Sequence, residues 1–246
     1  MKLSVIIISV LFSCITNSFL LFAQEKNIFE VNLDFSIAKP NPTELQSILE
    51  QQQSNLLASG INVNIQNNFD YDVTWSGSIL YQFSNYFLVG IGGSYLYSDA
   101  YILYGDINGN YDATGKLKVY SIDAVSKLHY QLDHNLYLLG ELSGGLRFIE
   151  SQFTENIELF ITPNMDKSTE VTNNGNTWGL NGFIGLSYLL GNFEPYIQIG
   201  YRYLELQEVE LSEDTGSVTH NYDNVELEHN LSSIVLKMGL GYNINF

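Results

Sequence analysis

The chain is poor in cysteine, in positive charge and in long apolar runs, and each shortage excludes something. Its only cysteine is Cys14, in the first 23 residues. A mature chain without them has no disulfide, no thiolate metal site and no cysteine nucleophile. Lysine and arginine total 10 against 27 aspartates and glutamates, a formal net charge of −17. So acidic a chain repels nucleic-acid phosphates, and nucleic acid is excluded as a partner. After residue 23 no continuous apolar stretch reaches the length of a membrane-spanning helix. A membrane protein lacking such runs must be a closed barrel, because only helices and closed barrels satisfy every backbone polar group in lipid.

What is present begins with a leader. Lys2 supplies the charged start, Val5 to Phe12 the apolar centre, and Leu21-Phe22-Ala23 a cleavage site before Gln24. Residues 1–23 read as a signal peptide that is removed, and 24–246 as the mature unit. An N-terminal membrane helix is the competing reading, but Thr16, Asn17 and Ser18 interrupt it. A lipoprotein site at Leu11-Phe12-Ser13-Cys14 is a third, with bulky Phe12 against it. Removing Lys2 takes the net charge from −17 to −18, and the 223 residues left (246 less 23) suit one barrel rather than two domains.

Eight segments alternate with period two, which puts apolar side chains on one face of a strand and polar ones on the other. The last is the plainest. Ile234, Leu236, Met238, Leu240, Tyr242, Ile244 and Phe246 share one parity; Val235, Lys237, Gly239, Gly241, Asn243 and Asn245 share the other. A strand that stays apolar to its final residue suits lipid on one side and a polar lumen on the other. The same pattern recurs near residues 29–37, 71–83, 87–98, 120–131, 138–148, 178–188 and 194–203. Ser84-Asn85, Asp133-His134-Asn135 and Gly191-Asn192 make tight turns, whereas 39–69, 99–115, 150–176 and 206–225 make long connections. Short periplasmic turns alternating with long outer loops predict an all-β, eight-stranded antiparallel up-and-down transmembrane β-barrel, with both termini periplasmic. A soluble eight-stranded barrel would turn its apolar face inward. Here the polar face carries mid-strand charges.

Aromatic residues gather at both ends of the apolar faces, where amphipathic rings favour the headgroup level. Phe29, Phe83, Phe87, Tyr130, Tyr188 and Phe246 form the expected periplasmic girdle. Phe35, Trp75, Tyr97, Tyr120, Phe148, Trp178 and Tyr203 form the outer one. With these strands, turns and girdles, residues 27–246 resemble the small outer-membrane β-barrel superfamily that contains outer-membrane proteins A, X and W. Leu240, Tyr242, Ile244 and Phe246 resemble the terminal signal of that superfamily. The resemblance implies insertion by the barrel-assembly machinery into the outer membrane of a Gram-negative bacterium, as a monomer among lipid and lipopolysaccharide.

The inward charges are Asp34, Asp123, Lys127, Glu141, Arg147, Arg202 and Lys237. Counting from the turns places Asp34, Asp123, Arg202 and Lys237 in one mid-lumen layer. Lys127 facing Glu141 lies below it and Arg147 above. Charges in a narrow lumen must pair. They serve either a packed static core, since eight strands leave room only for side chains, or an electrostatic gate like that of the resembled family. Leu80, Leu88, Val125, Leu139, Phe183 and Leu189 also face inward, which leaves a partly apolar lumen open.

The first long connection carries a helix signature: Asn41 as cap, Pro42 in the first turn, Glu44 three residues after the cap, and Leu45, Ile48, Leu49 and Leu56 at helical spacing before Gly60. It forms either a lid or partner-binding helix, or a helix packed on its own loops. The stretch Asp106 to Asp112 places oxygens at alternate residues, but Tyr111 and Leu117 stand where a helical calcium loop needs Gly and Glu. A turn at a loop tip is expected there, and no metal or other cofactor. The acidic run Glu205, Glu208, Glu210, Glu213 and Asp214 reads as solvated loop, and Val209, Leu211, Val225 and Leu227 as strands projecting above the membrane. His229 near Ser232 and Ser233 is the only local pair with hydrolytic character, and no orienting acid accompanies it. His129, His134 and His220 lack evident partners. The expected function is therefore a non-enzymatic structural or surface-binding barrel acting through acidic outer loops toward a protein or glycan. A narrow channel for ions or small solutes is the alternative, and a lipid-modifying enzyme a second.

Overall fold

The computed structural model describes residues 28–39, 44–58, 60–66, 71–107, 109–159, 167–204 and 231–245. The leader, Asn41, Pro42, the run 205–230 and Phe246 lie outside them, and so do the expectations that rest on those positions.

Each of the eight alternating segments is strand among the described residues. The barrel strands are β1 (Ile28–Ala38), β3 (Asp72–Ser84), β4 (Phe87–Gly105), β5 (Gly109–Gln131), β6 (Leu136–Leu159), β7 (Lys167–Tyr188), β8 (Phe193–Leu204) and β9 (Ser233–Asn245). A two-residue strand, β2 (Ile65–Gln66), and one helix, α1 (Glu44–Ala58), lie between β1 and β3. Hydrogen bonding runs β4-β3-β1-β9-β8-β7-β6-β5 and returns from β5 to β4, so eight antiparallel strands close a ring. β2 adds to the side of β4 at Tyr101 and Ile102. Closure leaves no edge within the ring, which a sheet in lipid requires.

The turns are as short as expected. Leu132 N–H donates to Leu136 C=O at 2.8 Å, and Leu190 N–H to Phe193 C=O at 2.7 Å. Gly191 takes φ 65°, a left-handed conformation that glycine adopts without strain. In the β3–β4 turn the register slips between Gln82 and Ser84, leaving Phe83 as a bulge.

The faces are inverted relative to a soluble barrel. Outward-facing Leu33, Ile122 and Leu142 are 70%, 64% and 67% exposed, whereas inward-facing Glu30 and Lys127 are 0% and 1% exposed. Leaving a large apolar side chain in water forfeits about 1.5–3 kcal/mol. A handful of these outward residues would thus cancel the ~5–15 kcal/mol of net stability typical of a domain. The outer face is therefore built for lipid, and the soluble-barrel alternative is rejected.

Two of the four long connections are not loops. Segments 99–115 and 150–176 are largely strand: β4 and β5 meet at a tip between Gly105 and Gly109, and β6, 24 residues long, pairs with β7 from Leu136 to Ile157. Crossing a bilayer takes about 9–11 tilted residues, so β4 to β7 continue well past it. The reason lies in a polarity inversion. Up to Tyr120, β5 points apolar Ile122, Leu128 and Tyr130 outward and Ser121, Asp123 and Lys127 inward; beyond it, Val119, Leu117 and Ala113 are buried inside while Lys118 and Lys116 face out. β6 inverts at the same level, because Tyr120 pairs with Phe148, and Val119 with Ile149. The wall is lipid-facing below this line and an ordinary water-facing sheet above it.

An apolar core fills the concave side of the projecting sheet. Leu49 of α1, fully buried, packs with Val63, Leu96, Ile102, Leu117, Ile149, Phe153, Leu204 and Leu231, and Ile48 and Leu56 press against them. The helix ends as Gly60 and the spacing indicate. Ile61 N–H donates to Leu56 C=O at 2.9 Å and Gly60 N–H to Leu57 C=O at 3.0 Å, with Gly60 at φ 82°. The helix is packed into this core, and that packing places it over the loop end of the barrel.

Candidate functional site: the braced lumen

All seven charges point into the barrel; six of them take part in separate ion pairs, and Asp34 stays outside those pairs. Nearest the turn end, Lys127 Nζ donates to Glu30 Oε1 at 2.6 Å, and its ammonium lies 4.6 Å from the Tyr196 ring centroid. Higher, Lys237 Nζ donates to both oxygens of Glu141, at 2.7 and 2.6 Å, and sits 4.4 Å over Phe183. Above that, Arg147 Nη1 bonds Asp123 Oδ1, whose other oxygen accepts from Ser121 Oγ at 2.7 Å. At the top, Arg202 Nη2 donates to Asp72 Oδ2 at 2.6 Å and to Ser233 Oγ at 3.1 Å. Asp34 joins no bridge; Ser76 Oγ donates to its Oδ2 at 3.3 Å.

Three of the four bridges, Lys127–Glu30, Lys237–Glu141 and Arg202–Asp72, join strands three places apart around the ring. They are struts across the lumen. The expected facing of Lys127 and Glu141 exists in the backbone register, as does that of Asp123 and Gly145. The charged ends nevertheless pair elsewhere: Arg202 bridges to Asp72, while Asp34, Asp123, Arg202 and Lys237 all border one mid-lumen space. Strands in a barrel tilt and stagger, so equal counts from the turns do not give equal heights around the wall. Glu30 and Asp72 were missed as bridge partners because nothing local in β1 or β3 marks them.

The space left between the struts is about 70 Å³, bordered by Asp34, Asp123, Glu141, Arg147, Arg202 and Lys237, enough for a few waters. Below it Leu80, Leu88 and Val125 form a small apolar cluster on the β3–β4–β5 wall. Leu139 is fully buried, and Phe183 lies under the Lys237 ammonium.

Glycine lets the wall close tightly at one strut. A Cβ on Gly145 would stand 1.9 Å from the Ile122 carbonyl oxygen and 2.8 Å from Asp123 Cα, both backbone atoms that no rotamer can move. Gly145→Ala is expected to cost about 1–3 kcal/mol through overpacking. Gly182→Ala, which meets only Leu142 Cδ2 at 3.4 Å, should be close to neutral. Urea midpoints of the two variants in lipid vesicles check this.

On the outer face, Phe29, Trp75, Tyr120, Tyr130, Tyr188 and Trp178 are exposed, and Phe83 and Phe87 half-exposed at the turn end. Rings pair along both ends: Phe35 with Trp75 at 4.9 Å, Tyr95 with Tyr120 at 5.1 Å, Phe193 with Tyr242 at 5.0 Å. Tyr95 and Phe193 are additions to the girdles. Leu240 and Tyr242 face outward on β9, with Ile244 half-buried beside them. Just past the polarity inversion, Lys118 Nζ meets Glu150 Oε1 at 2.7 Å on the outer side of the sheet. That hydrogen bond raises the Lys118 pKa. So exposed a pair adds little, and Lys118→Ala should lower stability by no more than ~1 kcal/mol in thermal unfolding.

Of the pair with hydrolytic character, only the serines lie among the described residues. Ser232 Oγ accepts from Leu204 N–H at 3.1 Å, Ser233 accepts from Arg202, and His229 lies outside the described residues. The Asp106–Asp112 stretch is the β4–β5 tip. Gly109 N–H donates to Asp106 Oδ1 at 3.1 Å and Asp106 N–H to Gly109 C=O at 3.0 Å, the bonding of a tight turn.

No protein-family model and no curated protein matches the chain. Solved structures of similar architecture include the outer membrane protein OprG from Pseudomonas aeruginosa, at 12% identity and TM-score 0.49, over 91% of this chain and 98% of that one. Neisserial surface protein A matches at 14% identity and TM-score 0.40, over 87% and 96%. Ail, the attachment invasion locus protein of Yersinia pestis, matches at 12% and 0.39, over 89% and 100%. The closed ring, the apolar outer face and the charged interior, taken on their own, make the chain an eight-stranded transmembrane β-barrel.

Proposed function

We propose that this barrel sits in the outer membrane of a Gram-negative bacterium, with its tight turns and both termini in the periplasm. In this reading it has a structural or surface-binding role, carried by what stands above the bilayer rather than by passage through it. The observation that carries this reading is the interior: buried struts cross the lumen, and the α1 core covers their loop end. An interior so braced supports a wall and a platform. The projecting part of β4 to β7 is that platform. Its outer face presents Asp112, Glu158 and Glu170 beside the Lys118–Glu150 pair, and the sequence following β8 carries Glu205, Glu208, Glu210, Glu213 and Asp214. Such a surface suits a basic protein segment, or a glycan bridged by cations. Insertion would be by the barrel-assembly machinery, with lipid and lipopolysaccharide around a monomer.

Topology labelling tests the reading. The mature chain carries no cysteine, so Thr114→Cys and His134→Cys each create one unique thiol. A membrane-impermeant maleimide added to intact cells should label position 114 and leave position 134 unlabelled until the outer membrane is opened. Labelling of 134 alone in intact cells would reverse the orientation and remove the platform from the surface.

A further inference from the structure

We propose a divalent transition-metal site at the turn end of the lumen, held by Glu30, His129 and Glu194, with Zn²⁺ as the best-fitting ion. Three strands bring the residues together: β1 supplies Glu30, β5 His129 and β8 Glu194. One ligand atom from each lies within 4.8 Å of the others. His129 Nε2 stands 3.8 Å from Glu30 Oε2 and 3.6 Å from Glu194 Oε1. Those separations are too long for N–H···O hydrogen bonds, which close at about 2.7–3.2 Å. They are close to the spacing of donors around one ion: metal–donor bonds of about 2.0–2.2 Å at tetrahedral angles put donors roughly 3.4 Å apart.

A second observation points to a ligand. Glu30 Oε2 and His129 Nε2 are both buried without a hydrogen-bond partner, and the Glu30 side chain is fully buried. A buried carboxylate oxygen and a buried ring nitrogen facing each other unsatisfied carry a cost that a shared cation removes. Charge agrees. With a neutral imidazole, Glu30 and Glu194 outweigh Lys127, and the pocket keeps one net negative charge that attracts a cation. The carboxylates are also held in place from outside. Lys127 bonds the other oxygen of Glu30 at 2.6 Å, and Ser187 Oγ donates to Glu194 Oε1 at 2.6 Å. Outer partners that orient metal-binding groups are a regular feature of such sites. One imidazole and two carboxylates match zinc better than calcium or magnesium, which favour all-oxygen shells. His129 is 13% exposed, so the site opens toward the turn end; that this end meets the periplasm rests on the orientation proposed above.

The test uses the untagged full-length mature barrel, folded in detergent, stripped of metal and titrated with Co²⁺ and then Zn²⁺. One equivalent of Co²⁺ should bind with the visible absorption of a tetrahedral nitrogen–oxygen site, and Zn²⁺ should displace it. His129→Gln and Glu194→Gln should each weaken binding roughly tenfold or more. Both should keep the heat-modifiable migration of a folded barrel, and two variants guard against one failing to fold. A triple change of His134, His220 and His229 to Gln should leave the equivalent in place. Binding that survives His129→Gln, disappears in the triple variant, or is absent from the wild-type chain overturns the proposal. None of these outcomes depends on which way the barrel faces, so failure here leaves the proposed function standing.

Discussion

Lys127→Met is expected to destabilise the barrel by about 3–5 kcal/mol, because it leaves the fully buried Glu30 carboxylate without its cation. The loss far exceeds that for Lys118→Ala, although both changes delete a lysine in an ion pair. The difference is solvent: Lys118 and Glu150 are 28% and 35% exposed, Lys127 and Glu30 1% and 0%. A double variant, Glu30→Gln with Lys127→Met, should recover most of the loss, since removing both charges removes the desolvation problem itself. The two tryptophans, Trp75 and Trp178, both stand on the outer face and report lipid release directly. Urea unfolding in vesicles followed by their fluorescence, with chelator present, gives the midpoints. A Lys127→Met midpoint equal to wild type would show that the strut carries no load.

Leu49→Asp is expected to detach α1 without opening the ring. Leu49 is fully buried in the core above the polarity inversion. Truncating such a leucine costs about 2–5 kcal/mol, and a buried unpaired carboxylate adds to that. The helix contacts β2, β4 and β5 in the projecting part of the sheet, and its core meets the ring at Leu204 and Leu231 beside the topmost strut. Undocking should therefore be local. Cleavage after Glu50 by a glutamate-specific protease should become rapid, while heat-modifiable migration and the tryptophan midpoint stay at wild-type values. Loss of both together would mean that the core and the ring fold as one unit.

Much of the fold was legible because its determinant is local. Period-two alternation and three tight turns are read residue by residue, and each marks a strand or turn where the ring has one. The projecting strands were missed for a definable reason. Beyond Tyr120 the alternation continues with its sense reversed, as Lys116 and Lys118 against Leu117 and Val119 show. A search for lipid-facing segments takes that reversal for the end of a strand. The reversal is itself a signal, and it marks the water boundary. The inward direction of the charges was also legible, but not their partners. A strut such as Arg202–Asp72 spans 130 residues of sequence and depends on tilt and stagger, which no local pattern records. The same holds for Glu30, His129 and Glu194, which have no common motif and meet only when the ring closes.

The central claim is that the lumen is braced shut. Single-channel recording of the purified barrel in a planar lipid bilayer addresses it most directly. The account predicts no discrete conductance steps from the wild-type chain, and none from Leu49→Asp, because the struts below the helix remain. Regular, reproducible steps from the wild-type barrel at low voltage would contradict it and make the interior a conducting path.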